Sequence, residues 1–357
     1  MSVDKVKVGI IGQGRSGRDI HAQLLAKLGD YYTIAAVADS LPERQRLAEK
    51  EFGCNAYGSW EDMVNGEELD LVVNASPSHQ HYPITLALLN RGLHVLCEKP
   101  LAKTATEVDD LIEAANRSGK KLAIFQNSRY QPAFVRMREV IESGVLGRIV
   151  QIDLSMSGFA RRWDWQTLQS NNGGNLMNSG PHPLDQALQL LGTDELPDVT
   201  CIMDRANTFG DAEDYVKLML SKPGCPTIDL EISSCDAFPG QSFKVQGTNG
   251  GLHGSADKLE WRYYKPEEAP EQKLTTEPLF DSNGLPAYCM ETLAWHTGQW
   301  EISVPDDRTA FEMTTESLYL MLHRALRGGE LEITPQQVRR QLWVMEECRR
   351  QNPHIYG

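Results

Sequence analysis

The sequence predicts an α/β protein in two parts. A parallel, doubly wound sheet domain spans residues 1–127, and an α+β domain with a large, mostly antiparallel open sheet spans residues 128–357. Three observations predict this. Strand-like and helix-like segments alternate through the first third of the chain. A glycine-rich turn joins the first strand to the first helix. Beyond Gly147 the alternation gives way to longer strand-like runs separated by turn clusters.

Val6 to Ile11 is a short apolar run closed by Gly12, as expected of a strand buried on both faces. Ser16 to Leu28 has helical spacing, with Ile20, Leu24, Leu25 and Leu28 apolar. Thr33 to Ala38 reads as the second strand and ends at Asp39. Leu41 to Phe52 reads as a helix with Pro42 near its start. Leu69 to Asn74, His94 to Cys97 and Lys121 to Gln126 are further strands. They are separated by helices at Tyr82 to Arg91 and Thr104 to Ser118, each followed by glycine. Such alternation implies right-handed crossovers in a parallel sheet. Pro132 to Ser143 is one more helix.

Strands then follow at Ile149 to Ser157, Asp198 to Ala206, Tyr215 to Ser221, Thr227 to Ser234, Ser242 to Gly247 and Lys258 to Tyr264. Lys222-Pro223-Gly224 and Thr248-Asn249-Gly250-Gly251 read as turns between them. Helices are expected at Pro181 to Leu191, Phe311 to Arg327 and Pro335 to Arg350. There is no internal repeat.

A length of 357 residues suits two domains, and a 41% apolar fraction is enough to bury a real core. The net charge of −14 argues against nucleic acid and anionic membranes as partners. No apolar stretch approaches bilayer length, and Met1 to Lys7 has no signal-peptide pattern, so a cytoplasmic location is expected. The seven cysteines are widely spaced and odd in number, which fits reduced thiols and neither a disulfide framework nor a zinc site. No metal-binding constellation stands out.

Gly12-Gln13-Gly14-Arg15-Ser16-Gly17 matches G-x-G-x-x-G between a strand and a helix, the context that gives the pattern meaning. Gly12 permits the tight turn, Gly14 lets backbone approach a pyrophosphate, and Gly17 lets the helix pack on the strand. Unpaired N–H groups at the helix start then face the phosphates. Asp39, at the end of the second strand, is placed to accept from both ribose hydroxyls and to repel a 2′-phosphate. NAD is therefore expected ahead of NADP, with Arg44 on a solvated helix.

Asn74-Ala75-Ser76-Pro77-Ser78-His79-Gln80-His81, Glu98-Lys99-Pro100 and the segment from Gly173-Gly174 through Asn178 and Gly180-Pro181-His182 to Asp185 together resemble the glucose–fructose oxidoreductase / inositol dehydrogenase (Gfo/Idh/MocA) family. Asn127-Ser128-Arg129-Tyr130 and Gly144 to Ile149 are similar to its domain-junction segments, and the likeness runs the length of the chain. The resemblance implies a Rossmann domain, an α+β domain whose open sheet serves oligomerisation as a homodimer or homotetramer, and hydride transfer between NAD and a CH–OH group of a sugar, glycoside or cyclitol. It also implies cofactor contacts from Ser40 beside Asp39, from Ser76, Pro77 and His81, from Glu98 and Lys99, and from Asn127 and Trp163.

In this family the E-K-P lysine lies beside the nicotinamide and the substrate oxygen, which is Lys99 here. An ammonium there can hold the oxygen and stabilise developing negative charge. The G-x-H-x-x-D histidine maps to His182, a natural general acid/base. Asp185, three residues on, can hold the imidazole or a substrate hydroxyl, or can simply favour the helix dipole; both readings stay open. Asn178 stands where many relatives have Asp. It cannot take a proton, but it can hydrogen-bond a hydroxyl and Lys99, and the lost negative charge favours a lower lysine pKa. Trp165, in Arg161-Arg162-Trp163-Asp164-Trp165, is a candidate face for a sugar ring, with core packing the competing reading. Tyr288 and His296 are candidate lid residues. Two other functions use the same residues: an NAD-dependent glycosidase working through transient C3 oxidation and elimination, and a non-catalytic NAD-binding regulator.

Overall fold

The computed structural model describes residues 5–356. Six parallel strands form the first sheet: β1 (Val6–Ile11), β2 (Tyr32–Ala38), β3 (Asn55–Tyr57), β4 (Leu71–Asn74), β5 (His94–Cys97) and β6 (Leu122–Ile124), in the order β3-β2-β1-β4-β5-β6. Strand order reverses between β1 and β4, and the C-terminal ends of these two strands open the crevice where such sheets bind ligands. β4 is buried throughout and β1 everywhere except at Lys7, which is why both read as short, largely apolar runs without regular alternation.

Between the strands lie α1 (Gln23–Lys27), α2 (Pro42–Phe52), α3 (Trp60–Gly66), α4 (His81–Asn90) and α5 (Ala105–Ser118). α1 continues a π-helical segment, Arg15–Ala22, which opens directly from the glycine loop. α5 shows how local sequence sets a boundary: Thr104 and Glu107 form a capping box, and Gly119 ends the helix in the left-handed region. β3 and α3 were not expected. β3 has only 3 residues at the sheet edge, and α3 buries only Met63, so neither carries a readable apolar period.

α6 (Pro132–Glu142) leads into the second sheet. Its strands are β7 (Ile149–Ser157), β8 (Asp198–Asp204), β9 (Tyr215–Ser221), β10 (Thr227–Ser233), β11 (Phe243–Gly247), β12 (Gly250–Gly254), β13 (Lys258–Tyr263) and, after a small hairpin of β14 (Leu279–Phe280) and β15 (Pro286–Ala287), β16 (His296–Glu301). The order is β16-β13-β12-β11-β7-β10-β9-β8, antiparallel except for the central β7–β10 pair. Gly250-Gly251, expected in a turn, instead begins β12. Between β7 and β8 the chain forms α7 (Asn175–Asn178) and α8 (Pro181–Leu190).

One face of the sheet presents Ile152, Leu154, Leu218 and Leu230 to the core with Leu184 and Leu188 of α8. It also packs on Leu342 and Met345 of α10 (Pro335–Gln351).

The chain does not stay in its second half. α9 (Ala310–Leu326) places Leu318, Tyr319, Leu322 and Ala325 in one core cluster with Val8, Ile10, Leu25 and Tyr32. Residues 128–357 are therefore not a self-contained unit, because one of their helices completes the first core. Among the described residues no helix is long and apolar enough to cross a membrane.

Candidate active site

A cleft of about 1060 Å³ runs along the crevice from Asp39, Ser40 and Arg44 at one end, past Gly12, Gly14, Arg15 and Ser16, to Lys99, Trp165, Asn178 and His182 at the other. Ser76, Pro77, His81, Glu98 and Asn127 also border it. Of the residues expected at the site, Gln13, Gly17, Trp163 and Asp185 do not line the cleft.

The loop is built for close backbone approach. Gly12 has φ 84°, and a Cβ there would come 3.0 Å from the carbonyl carbon of Ala75. Gly17 lies behind the loop, where a Cβ would meet the Gly12 carbonyl group. Gly14 faces open space, with nothing nearer than Arg44 Nη1 at 3.8 Å. Asp39 ties the loop to β2: its Oδ2 accepts from the Gln13 N–H at 2.7 Å and its Oδ1 from the Leu41 N–H at 2.9 Å. Gln13 thus serves through its backbone while its side chain is buried. Arg44 is exposed on α2, as expected, and still donates from Nη1 to Asp39 Oδ2 at 3.3 Å, because α2 begins only three residues after Asp39.

The turn after β4 is held by Asn74, whose Nδ2 donates to Thr85 Oγ1 at 3.0 Å and whose Oδ1 accepts from Ser76 Oγ at 2.7 Å. His81 bridges this turn to the next strand end, with Nε2 2.8 Å from Ser76 O and Nδ1 2.7 Å from Pro100 O. Burial pushes its pKa down. Asn127 donates to Thr315 Oγ1 of α9 at 3.1 Å.

At the catalytic end, Lys99 Nζ donates to the backbone carbonyl of Asn178 at 2.7 Å. The Asn178 side chain takes no part in that bond. Its Oδ1 accepts from Gln166 Nε2 at 3.2 Å. Gln166 in turn accepts from Arg162, whose guanidinium also pairs with Asp164. Burial lowers the Lys99 pKa, Glu98 opposes that, and Arg15 and Arg162 add to it. Burial would push Glu98 up, but hydrogen bonding and charge from His21, with help from Lys99 and His81, outweigh it and hold the carboxyl down at about 2.

His182, in the first turn of α8, has its Nδ1 buried without a hydrogen-bond partner. Burial, then the neighbouring Lys99 charge, pushes its pKa down to about 3, so the ring is neutral at pH 7.

Three expectations are corrected. Asp185 turns away from His182 and is buried against Arg129, which donates to both its oxygens, from Nε at 2.9 Å and from Nη2. Arg129 also holds Gln337 Oε1 at 2.7 Å, so this pair fastens α8 to the start of α10. Trp163 is 77% exposed and meets Phe209 edge-on, whereas Trp165 borders the cleft. Tyr288 is 92% exposed on the segment between β13 and β16, and His296 stacks on Tyr263 within the sheet; neither borders the cleft. Met156 and Phe311 do border it. No local motif marks either one. Phe311 reaches the cleft only because α9 returns to the first domain.

The residues present fit a dinucleotide. A glycine cradle open at Gly14, an acid at the end of β2 and a long cleft leading to a lysine and a neutral histidine are the parts such a ligand needs.

Comparison with known proteins agrees. Residues 6–126 match the family model described as oxidoreductase family, NAD-binding Rossmann fold, and residues 134–253 match the GFO/IDH/MocA C-terminal domain. The chain is similar to scyllo-inositol 2-dehydrogenase (NADP(+)) IolW of Bacillus subtilis, 31% identical over 72% of each chain. It is also similar to D-glucoside 3-dehydrogenase of Escherichia coli, 31% identical over 54% of this chain and 56% of that one. Among solved structures, an NAD-binding protein from Listeria innocua superposes with a TM-score of 0.79 at 22% identity, covering 98% of this chain and 96% of that one. The WlbA dehydrogenase of Bordetella pertussis, in complex with NADH and UDP-GlcNAcA, superposes at 0.77 and 20% identity, covering 99% and 97%. These structural likenesses speak for the fold.

Proposed function

The chain belongs to the GFO/IDH/MocA family of NAD-binding oxidoreductases, and from that premise we propose that it oxidises or reduces a secondary CH–OH group of a cyclitol, sugar or glycoside, with Lys99 and His182 handling the oxygen and its proton. The observation that carries the reading is the meeting of these two side chains, one from each half of the chain, at the same end of the cleft. A bound nicotinamide dinucleotide supplies the hydride acceptor or donor. Lys99 Nζ, which spends one hydrogen on Asn178 O, has others to offer to the substrate oxygen. His182, neutral at pH 7, accepts the hydroxyl proton in oxidation and returns it in reduction. Asn178 and Trp165 border the space left for the ring.

We propose NAD as the preferred cofactor because the carboxylate of Asp39 opposes a 2′-phosphate. Arg44 beside it softens that preference, and the relative IolW is named for NADP(+). Seven unpaired thiols support a reducing compartment. The outer sheet face, with Lys217 between Asp229 and Glu231, is offered as the surface for a second copy.

The test is NADH absorbance on a panel of inositols, hexoses and glucosides with NAD and NADP, for the native chain and for Lys99→Ala and His182→Ala. Turnover on a polyol that falls at least ~100-fold in each variant supports these roles. Both variants keeping most of kcat would remove them. Aglycone release without net NADH would move the reading to the redox glycosidase.

A further inference from the structure

We propose that Tyr319, His21 and Glu98 form a buried relay through which α9 positions Lys99. The proposal rests on Lys99 being the residue that holds the substrate oxygen.

The members are far apart in sequence and in contact in space. Tyr319 Oη lies 2.7 Å from His21 Nδ1, His21 Nε2 lies 3.2 Å from Glu98 Oε1, and the Lys99 backbone N–H donates to Glu98 Oε2 at 3.0 Å. His21 and Tyr319 are 0% exposed. Tyr319 is held in turn, because its carbonyl accepts from Tyr32 Oη at 2.7 Å. His21 sits near the end of the π-helical segment that begins inside the dinucleotide loop, so the helix facing the phosphates also carries the middle of the relay.

The chemistry gives each member a task. A buried carboxylate is costly unless its oxygens are hydrogen-bonded. Nδ1 faces the phenol and Nε2 faces Glu98, and because a carboxylate can only accept, the Nε2 proton is aimed at it. Both carboxylate oxygens are then fixed, one by His21 and one by the peptide N–H of Lys99. The side chain of Lys99 leaves that fixed peptide toward Asn178 O. Charged and titratable groups acting on Lys99 are Glu98, Arg15 and Arg162, and it acts on His182; His81 acts on Glu98. Glu98 is the one anion among them, so the relay also holds the counter-ion of the lysine. The same helix face carries Thr315, bonded to Asn127, and Phe311, at the cleft. Spacings of four and eight residues put all three on one stripe.

The test uses the full-length protein and its Tyr319→Phe, Glu98→Gln and double variants. Lys99 reactivity with acetic anhydride is followed against pH by mass spectrometry of its peptide, NADH affinity by fluorescence, and turnover on whichever polyol the panel identifies. Expected results are a fall in turnover of about tenfold for Tyr319→Phe with NADH affinity within about twofold. The labelling midpoint should move to lower pH in Glu98→Gln and, by less, in Tyr319→Phe, because each weakens the counter-ion. In the Glu98→Gln background Tyr319→Phe should add nothing. An unchanged labelling profile in Tyr319→Phe, or a full additional effect in the double variant, overturns the relay. If Glu98→Gln does not fold, His21→Gln takes its place in the same cycle. Labelling needs no substrate, so the relay stands or falls on it alone, whereas a silent polyol panel or an active Lys99→Ala counts against the role of the lysine.

Discussion

Gly14 and Gly17 share one motif, yet alanine should do different things at each. A Cβ on Gly14 meets only the tip of the Arg44 side chain, at an ordinary contact distance of 3.8 Å, and the backbone there is extended at φ −77°. The unliganded fold should therefore accept Gly14→Ala with a Tm within about 1 °C of the native value, as for a substitution that breaks no contact. The methyl group instead projects into the space a pyrophosphate needs, and NADH affinity should fall ~10- to 100-fold.

A Cβ on Gly17 lies 2.8 Å from the carbonyl carbon of Gly12, with the carbonyl oxygen nearer still, and both atoms are backbone. The helix or the loop must retreat, on the order of 1 Å, at an overpacking cost of ~1–3 kcal/mol. Gly17→Ala should therefore lose both stability, by ~1–4 °C in Tm, and affinity. Differential scanning fluorimetry and NADH fluorescence titration on the two variants separate the cases. If Gly14→Ala binds NADH as tightly as the native chain, no phosphate approaches that backbone and the assignment of the loop is refuted.

Three other outcomes are expected. Arg44→Ala should raise KM for NADP about tenfold while changing KM for NAD less than about threefold, since it strips a cation from the side of Asp39 where a 2′-phosphate would lie; equal losses would show that Arg44 does not discriminate. Asp185→Asn should cost ~3–5 kcal/mol of stability by leaving Arg129 buried and uncompensated, with KM for the polyol unchanged; a raised KM at native Tm would return Asp185 to the substrate. His182 takes its proton only near pH 3 in the folded chain, against an ordinary 6.5, so it contributes stability above pH 6.5 that is lost as pH falls toward 3. Urea midpoints for His182→Gln should drop less than native between pH 7 and 5, and the two curves should run parallel above pH 7.

Legibility in the sequence followed the range of the forces involved. The loop, Asp39, Lys99 and His182 sit where a strand ends or a helix starts, and glycine, proline and the change of period mark those places within a few residues. Asp185 could not be read the same way. Its spacing from His182 was right for a shared face, but its partner Arg129 lies 56 residues away, and nothing local ranks that ion pair above an imidazole. The contact of His21 with Tyr319 spans 298 residues and leaves no local mark at either end. Gly250-Gly251 misled in the opposite sense. Two glycines resemble a turn, but here they let β12 lie flat on β13, where a Cβ on Gly250 would come 2.6 Å from Tyr263 Cα.

The return of α9 to the first sheet also sets an order of events at the ribosome. Val8, Ile10 and Leu25 are made early, but the leucines and tyrosine that cover them lie between residues 318 and 322, far downstream in the chain. The nascent first domain must wait with an apolar stripe in water until residues 318–322 have emerged. A fragment cut at residue 127 would keep that stripe bare, and should self-associate or recruit chaperones even though every strand of its sheet is present.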